Sequence, residues 1–153
     1  MMRKIANVLW HFPFFGFIDA ISAFIFGSLL VLTVIGAPIG FGLIQWSKFL
    51  FSPFTSEMID KRDLKAEQNK LWQSFGFIVR IVYFPFGCLI AFGLLLQSIG
   101  LFISVIGIPV GLVVFKSIST AFNPVNKICV NRVVANELES QKNEQIINKH
   151  LTK

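Results

Sequence analysis

One apolar passage occurs twice in this chain, and that repetition limits the fold more than any other feature. Phe12-Pro13-Phe14-Phe15-Gly16 returns as Phe84-Pro85-Phe86-Gly87. Gly36-Ala37-Pro38-Ile39-Gly40 returns as Gly107-Ile108-Pro109-Val110-Gly111, and Ser52-Pro53-Phe54 returns as Asn123-Pro124-Val125. The offsets are 72, 71 and 71 residues, so one residue was gained or lost between the first two landmarks. Three landmarks in one order at nearly one spacing define two copies of one unit.

The unit is apolar enough for lipid. Residues 20–47 and 81–115 carry no charge, runs of 28 and 35 residues. A bilayer needs only about 20 apolar residues per helix. Charged residues make up 14% of the chain, where soluble domains carry about 25%. A soluble helical core is thereby disfavoured. The N-terminus reads as retained: the apolar stretch after Arg3 and Lys4 runs on to Lys48 with no small-residue cleavage site leading into polar sequence.

Length then dictates a turn. Residues 14–52 would make a straight helix of about 58 Å, against a hydrocarbon core of about 30 Å. The glycine–proline segments 36–40 and 107–111 are where the chain can reverse, since proline breaks the ladder and glycine tolerates turn dihedrals. Each repeat becomes a helical hairpin, with first arms over 14–35 and 86–108. The second arms, over 38–52 and 109–123, are short at about 22 Å. The expected fold class is an all-α membrane protein of four transmembrane helices in two parallel hairpin repeats. The first repeat is 1–54, a polar linker 55–70, the second repeat 71–126, and a tail 127–153.

Charge orients the hairpins. Arg3 and Lys4 precede the first, Lys61, Arg62, Lys65, Lys70 and Arg80 lie between the two, and Lys127, Arg132, Lys142, Lys149 and Lys153 follow the second. The turns hold no lysine or arginine, so N-terminus, linker and tail are expected on the cytoplasmic side. The net charge of +6 then reads as a fringe facing anionic lipid, not as a nucleic-acid surface. Val133, Val134, Leu138, Ile146 and Ile147 predict a short amphipathic helix near the inner surface, or a partly disordered tail. Trp10, Trp46 and Trp72 are expected at headgroup level.

Ile106-Gly107-Ile108-Pro109-Val110-Gly111, followed by Phe115-Lys116 and Asn123-Pro124-Val125, resembles the YccF-type bacterial inner membrane component domain. The resemblance implies two domain copies, four membrane helices and an inner-membrane location. It brings no reaction, substrate or catalytic residue. The first repeat departs from the pattern at Ala37, where the second has Ile108, and at Gln45, where the second has Lys116.

Lys116 is the sharpest functional candidate. A lysine at mid-helix costs about 2.5–3.5 kcal/mol on insertion scales, so it either faces an interior or snorkels to an interface. Asp19 lies at a similar depth and is expected either to pair with Lys116 across the repeats or to cap its own arm near the headgroups. Gln45 and Gln97 are the remaining candidates for a wet path. Gly36 with Gly40 and Gly107 with Gly111 form GxxxG around Pro38 and Pro109, and Gly93, Gly100 and Gly107 recur every seven residues. Such spacing permits close helix packing, between the hairpins or in an oligomer.

Cys88 and Cys129 have no spaced partners, and His11 and His150 stand alone, so neither a disulfide framework nor a metal or other cofactor is expected. GxPxG lacks the Lys-Ser/Thr ending of a phosphate loop, and no catalytic constellation is present, so an enzyme is not expected. The function read from the sequence is an oligomeric conduit for an ion or small polar solute, and the alternative is a non-conducting accessory or scaffold subunit packing against a larger membrane protein or transporter. The expected partners are the bilayer and either further copies or a larger membrane protein.

Overall fold

The computed structural model describes residues 2–12, 14–64, 70–105 and 107–151. In chain order they form α1 (Met2–His11), α2 (Gly16–Leu32), α3 (Ala37–Phe51), β1 (Ser56–Asp60) and a 3-10 turn (Lys61–Leu64). There follow α4 (Lys70–Ile103), α5 (Ile108–Phe122), β2 (Lys127–Asn131) and α6 (Arg132–Leu151). The chain is mostly helical, and the all-α expectation missed its strand pair.

Two helical hairpins dominate the packing, α2 on α3 and α4 on α5. Both reversals fall just before the glycine–proline segments. Thr33–Gly36 closes the first turn, where the Thr33 hydroxyl donates to the Leu30 carbonyl and accepts the Gly36 amide. Gly36 and Gly107 are the N-caps, and Pro38 and Pro109 sit in the first helical turn behind them. Residues 37–40 and 108–111 are therefore helix and not loop. Proline's fixed φ suits that position, where no intrahelical donor is needed. Val34 holds φ 60 at the hairpin tip, a strained conformation for a β-branched residue.

The first arms differ. α4 runs unbroken through Pro85 for 34 residues. Its counterpart is split into α1 and α2, bent by 76°. Pro13 of the first landmark lies outside the described residues. Across the split, Trp10 lies directly on Gly16, where any side chain would overlap its indole.

The linker and tail are joined rather than loose. Ser56–Asp60 pairs antiparallel with Lys127–Asn131, Met58 opposite Cys129. Lys61 donates its amide to Asn126, and Arg132 donates its amide to Thr55. Residues 65–69 of the expected linker lie outside the described residues. The tail helix α6 is longer than expected and weakly packed. Ala135 is buried, Val133, Val134, Ile146 and Ile147 are exposed, and Lys142 holds Asp63 at 2.6 Å.

The core is small. Trp10, Ala20, Ala23, Phe49, Leu50, Val110, Val113 and Val114 cluster where the hairpins meet. Large apolar residues cover the outside, including Phe24, Phe26, Phe77, Phe86, Leu89 and Phe92. Water would not tolerate this surface, and lipid does. Gln73–Ile103 is long and apolar enough to cross a membrane, α1 with α2 passes the same test as one bent span, and Ile108–Phe122 is a shorter apolar helix.

Candidate functional site

A crevice of about 390 Å³ opens between the two hairpins. Helical periodicity builds it. Asp19, Ser22, Ala23 and Phe26 line up on α2, and Leu43, Trp46 and Leu50 on α3. Leu94 and Gln97 come from α4, Val114 and Ser117 from α5. Residues three, four and seven apart share one helix face, so each arm contributes one stripe. Trp10 from α1 completes the lining.

The two indoles are committed to the fold. Trp10 Nε1 donates to the Leu50 carbonyl at 2.8 Å, and Trp46 Nε1 donates to Ser117 Oγ at 3.1 Å. Ser117 in turn donates to the Val113 carbonyl. Trp10 is 4% exposed, and Trp46 is half-buried. The side chain of Trp72 lies outside the described residues. By contrast, Asp19, Ser22 and Gln97 make no hydrogen bond or ion pair among the described residues. Three unpartnered polar groups thus face one largely apolar crevice.

Lys116 does not join them, and its expected pairing with Asp19 is absent. Its ammonium lies 3.8 Å from Glu57 Oε1 on β1, and Arg132 approaches the same carboxylate at 4.0 Å. Lys116 therefore reaches the strand layer, as a snorkelling side chain would. Gln45 occupies the corresponding place in the first hairpin and also serves the strands. Its Oε1 accepts the Cys129 amide at 3.3 Å, covering an edge of β2 that would otherwise be open. Of the four candidate path residues, the structure brings Asp19 and Gln97 together and takes Lys116 and Gln45 away.

The candidate packing glycines also divide. Gly27 and Gly40 face each other so closely that a Cβ on Gly40 would lie 2.5 Å from the Gly27 carbonyl. A Cβ on Gly36 would crowd Thr33 and Leu30, and one on Gly107 would meet the Leu101 carbonyl. At Gly111 the neighbour is the Phe102 ring, 3.0 Å away. Gly93 and Gly100 face open space, so the seven-residue glycine spacing does not pack the hairpins together. Sequence reasoning missed Gly42, whose position leaves no room beside Pro124, and Ser22, which the spacing from Asp19 could have revealed.

Outside the apolar arms, burial disfavours the Asp60 carboxylate. Arg62 donates to it from its backbone amide, Nε and Nη2, and these bonds with the Arg62 and Lys127 charges outweigh that effect and hold Asp60 below its ordinary range. The pair steadies the end of β1.

Compared with known proteins, residues 5–56 match the YccF family, an inner membrane component domain. The match spans about a third of the chain, from α1 to the start of β1, whereas the sequence resemblance rested on residues 106–125. No curated protein and no solved structure matches the chain. The first hairpin, with α1 ahead of it, is thus similar to an inner membrane component domain, which points to the inner membrane as the chain's location.

Proposed function

We propose that this chain is a non-catalytic inner-membrane subunit that works by contact with another membrane protein, and that it does not conduct on its own. The position of Lys116 carries this reading. It was the strongest candidate for a charged path lining, yet its ammonium sits beside Glu57 on the strand layer. Gln45 is likewise engaged, by the Cys129 amide. That leaves the arms with few polar groups to line a route.

The subunit is four membrane helices in two parallel hairpins, both inserted from the cytoplasmic side and related by a pseudo-twofold axis along the membrane normal. Two contacts support the axis. Met58 faces Cys129, and Trp46 bonds Ser117. The members of each pair are 71 residues apart, the landmark spacing, and a twofold brings equivalent residues together only on its axis. The strand pair and α6 then lie on the cytoplasmic face with the basic residues. The second arms, 15 residues each or about 22 Å, stop short of a full hydrocarbon thickness.

An oligomeric conduit is the second reading, favoured by the unpartnered polar groups of the crevice. Ion flux through the purified protein in liposomes separates the two, with Lys116→Met measured alongside. The expected result is flux no greater than from empty vesicles, across several salts and pH values, with protein shown to be folded and inserted. Flux whose rate or ion preference changes with Lys116→Met would overturn the proposal.

A further inference from the structure

We propose that the crevice between the hairpins binds an organic ammonium group attached to an apolar body. This goes beyond the subunit reading and does not depend on it. Charge supplies the first reason. Asp19 is an exposed carboxylate in the first turn of an apolar helix, with no cation near it among the described residues. A carboxylate in low dielectric attracts a cation far more strongly than one in water.

The walls supply the second reason. A bare metal ion needs several oxygen ligands, and no group of three or more His, Cys, Asp or Glu side chains converges among the described residues. Most of the lining is instead aromatic and aliphatic, including Trp10, Trp46, Phe26 and Leu94. An aromatic wall beside one carboxylate suits a poorly hydrated ammonium, because the ring faces attract it while the carboxylate balances its charge.

Shape and polarity give the ligand's outline. Asp19 and Phe26 are seven residues apart on α2, about 10 Å along the crevice. Gln97, on α4, contributes an amide with no partner among the described residues. The ammonium sits at Asp19 and Ser22, the apolar body follows Ala23 and Phe26, and Gln97 meets any neutral polar group the body carries. Two sources share this chemistry: the ammonium of an aminophospholipid headgroup and a free amphipathic ammonium compound.

Trp10 and Trp46 provide the readout. The full-length protein in phosphatidylglycerol nanodiscs is titrated with benzyltrimethylammonium while tryptophan fluorescence is followed, and empty nanodiscs are the baseline. Benzyl alcohol and benzenesulfonate serve as neutral and anionic probes. The expected result is a saturable change for the ammonium alone. Asp19→Asn should weaken it about tenfold, and Asp19→Glu, which keeps the charge, only a few-fold. Circular dichroism and gel filtration confirm that both variants are folded. Adding phosphatidylethanolamine should shift the titration to higher concentration if the lipid headgroup is the natural source, and leave it in place if a free compound is. No saturable response, an equal response to the sulfonate, or undiminished binding by Asp19→Asn would each overturn the proposal.

Discussion

The two hairpins carry matching landmarks but are held by different atoms. In the first, α2 and α3 meet backbone to backbone at Gly27 and Gly40. In the second, Ser98 stands 71 residues after Gly27, is fully buried and bonds its own helix at the Leu95 carbonyl, while Gly111 meets the Phe102 ring. The final turns of α3 and α5 show the same divergence. Their last carbonyls have no helical partner and need a donor from elsewhere. Trp10 supplies it for Leu50, and Tyr83 supplies it for Ala121, 71 residues after Leu50. The first hairpin adds more: His11 Nε2 donates to the Phe51 carbonyl, and Asn7 accepts the Phe54 amide. Breaking the first arm lets α1 fold back as a clamp, whereas the unbroken α4 offers one phenol and the edge-to-face pair Phe84–Phe122. Equivalent needs of the backbone have been met by unlike side chains.

That contrast can be broken at paired positions. The largest effect is expected from Trp10→Phe against Tyr83→Phe. The first strands a buried carbonyl and empties part of the core, lowering stability by about 2–3 kcal/mol. The second also strands a carbonyl, that of Ala121, but keeps the ring in place, and should lower it by about 1 kcal/mol. Thermal unfolding in detergent measures both, and equal losses would mean that the clamp adds nothing beyond the shared hydrogen bond. Gly40→Ala against Gly111→Ala comes next. The added methyl at Gly40 meets backbone that cannot turn aside, at a cost of about 2 kcal/mol. At Gly111 the Phe102 ring can give, and alanine's helix propensity of about 1 kcal/mol over glycine should leave the net change near zero.

Smaller effects sharpen the account of the strand layer. Gln45→Leu leaves the Cys129 amide without its acceptor and should cost about 1 kcal/mol, more than Lys116→Met, whose partly exposed pair with Glu57 is worth about 0–1 kcal/mol. A larger loss at Lys116 would show that the ion pair, and not the amide, fastens strands to hairpins. The smallest effect is acid sensitivity. Asp60 titrates below its ordinary 3.8 when folded, so its stabilisation is complete above that value and disappears as pH falls through the depressed one. Arg62 is largely exposed, so the amount is under about 1 kcal/mol. Comparing acid unfolding of the native chain with Asp60→Asn should show the native curve falling more steeply below pH 4.

Much of the architecture was legible in the residues. Uncharged runs longer than a bilayer require turns, and proline limits where helices begin, so the second arms starting near Pro38 and Pro109 could be read directly. The reversal itself fell a few residues earlier because proline favours the first helical turn over the loop. The strand pair was not legible. Ser56–Asp60 and Lys127–Asn131 are only five residues each, too short to signal a strand alone, and their pairing depends on the hairpins bringing distant segments together. The crevice was half legible. An acid and an amide in apolar helices announce themselves by their solvation cost, so Asp19 and Gln97 stood out from composition. Their convergence with Ser22, and the departure of Lys116 to Glu57, depended on helix rotation and on how far a four-carbon stem reaches. Local chemistry therefore decided that this chain turns between apolar helices and roughly where. Which polar groups meet there was decided by packing, because neighbours across two hairpins are set by contacts that no single segment contains.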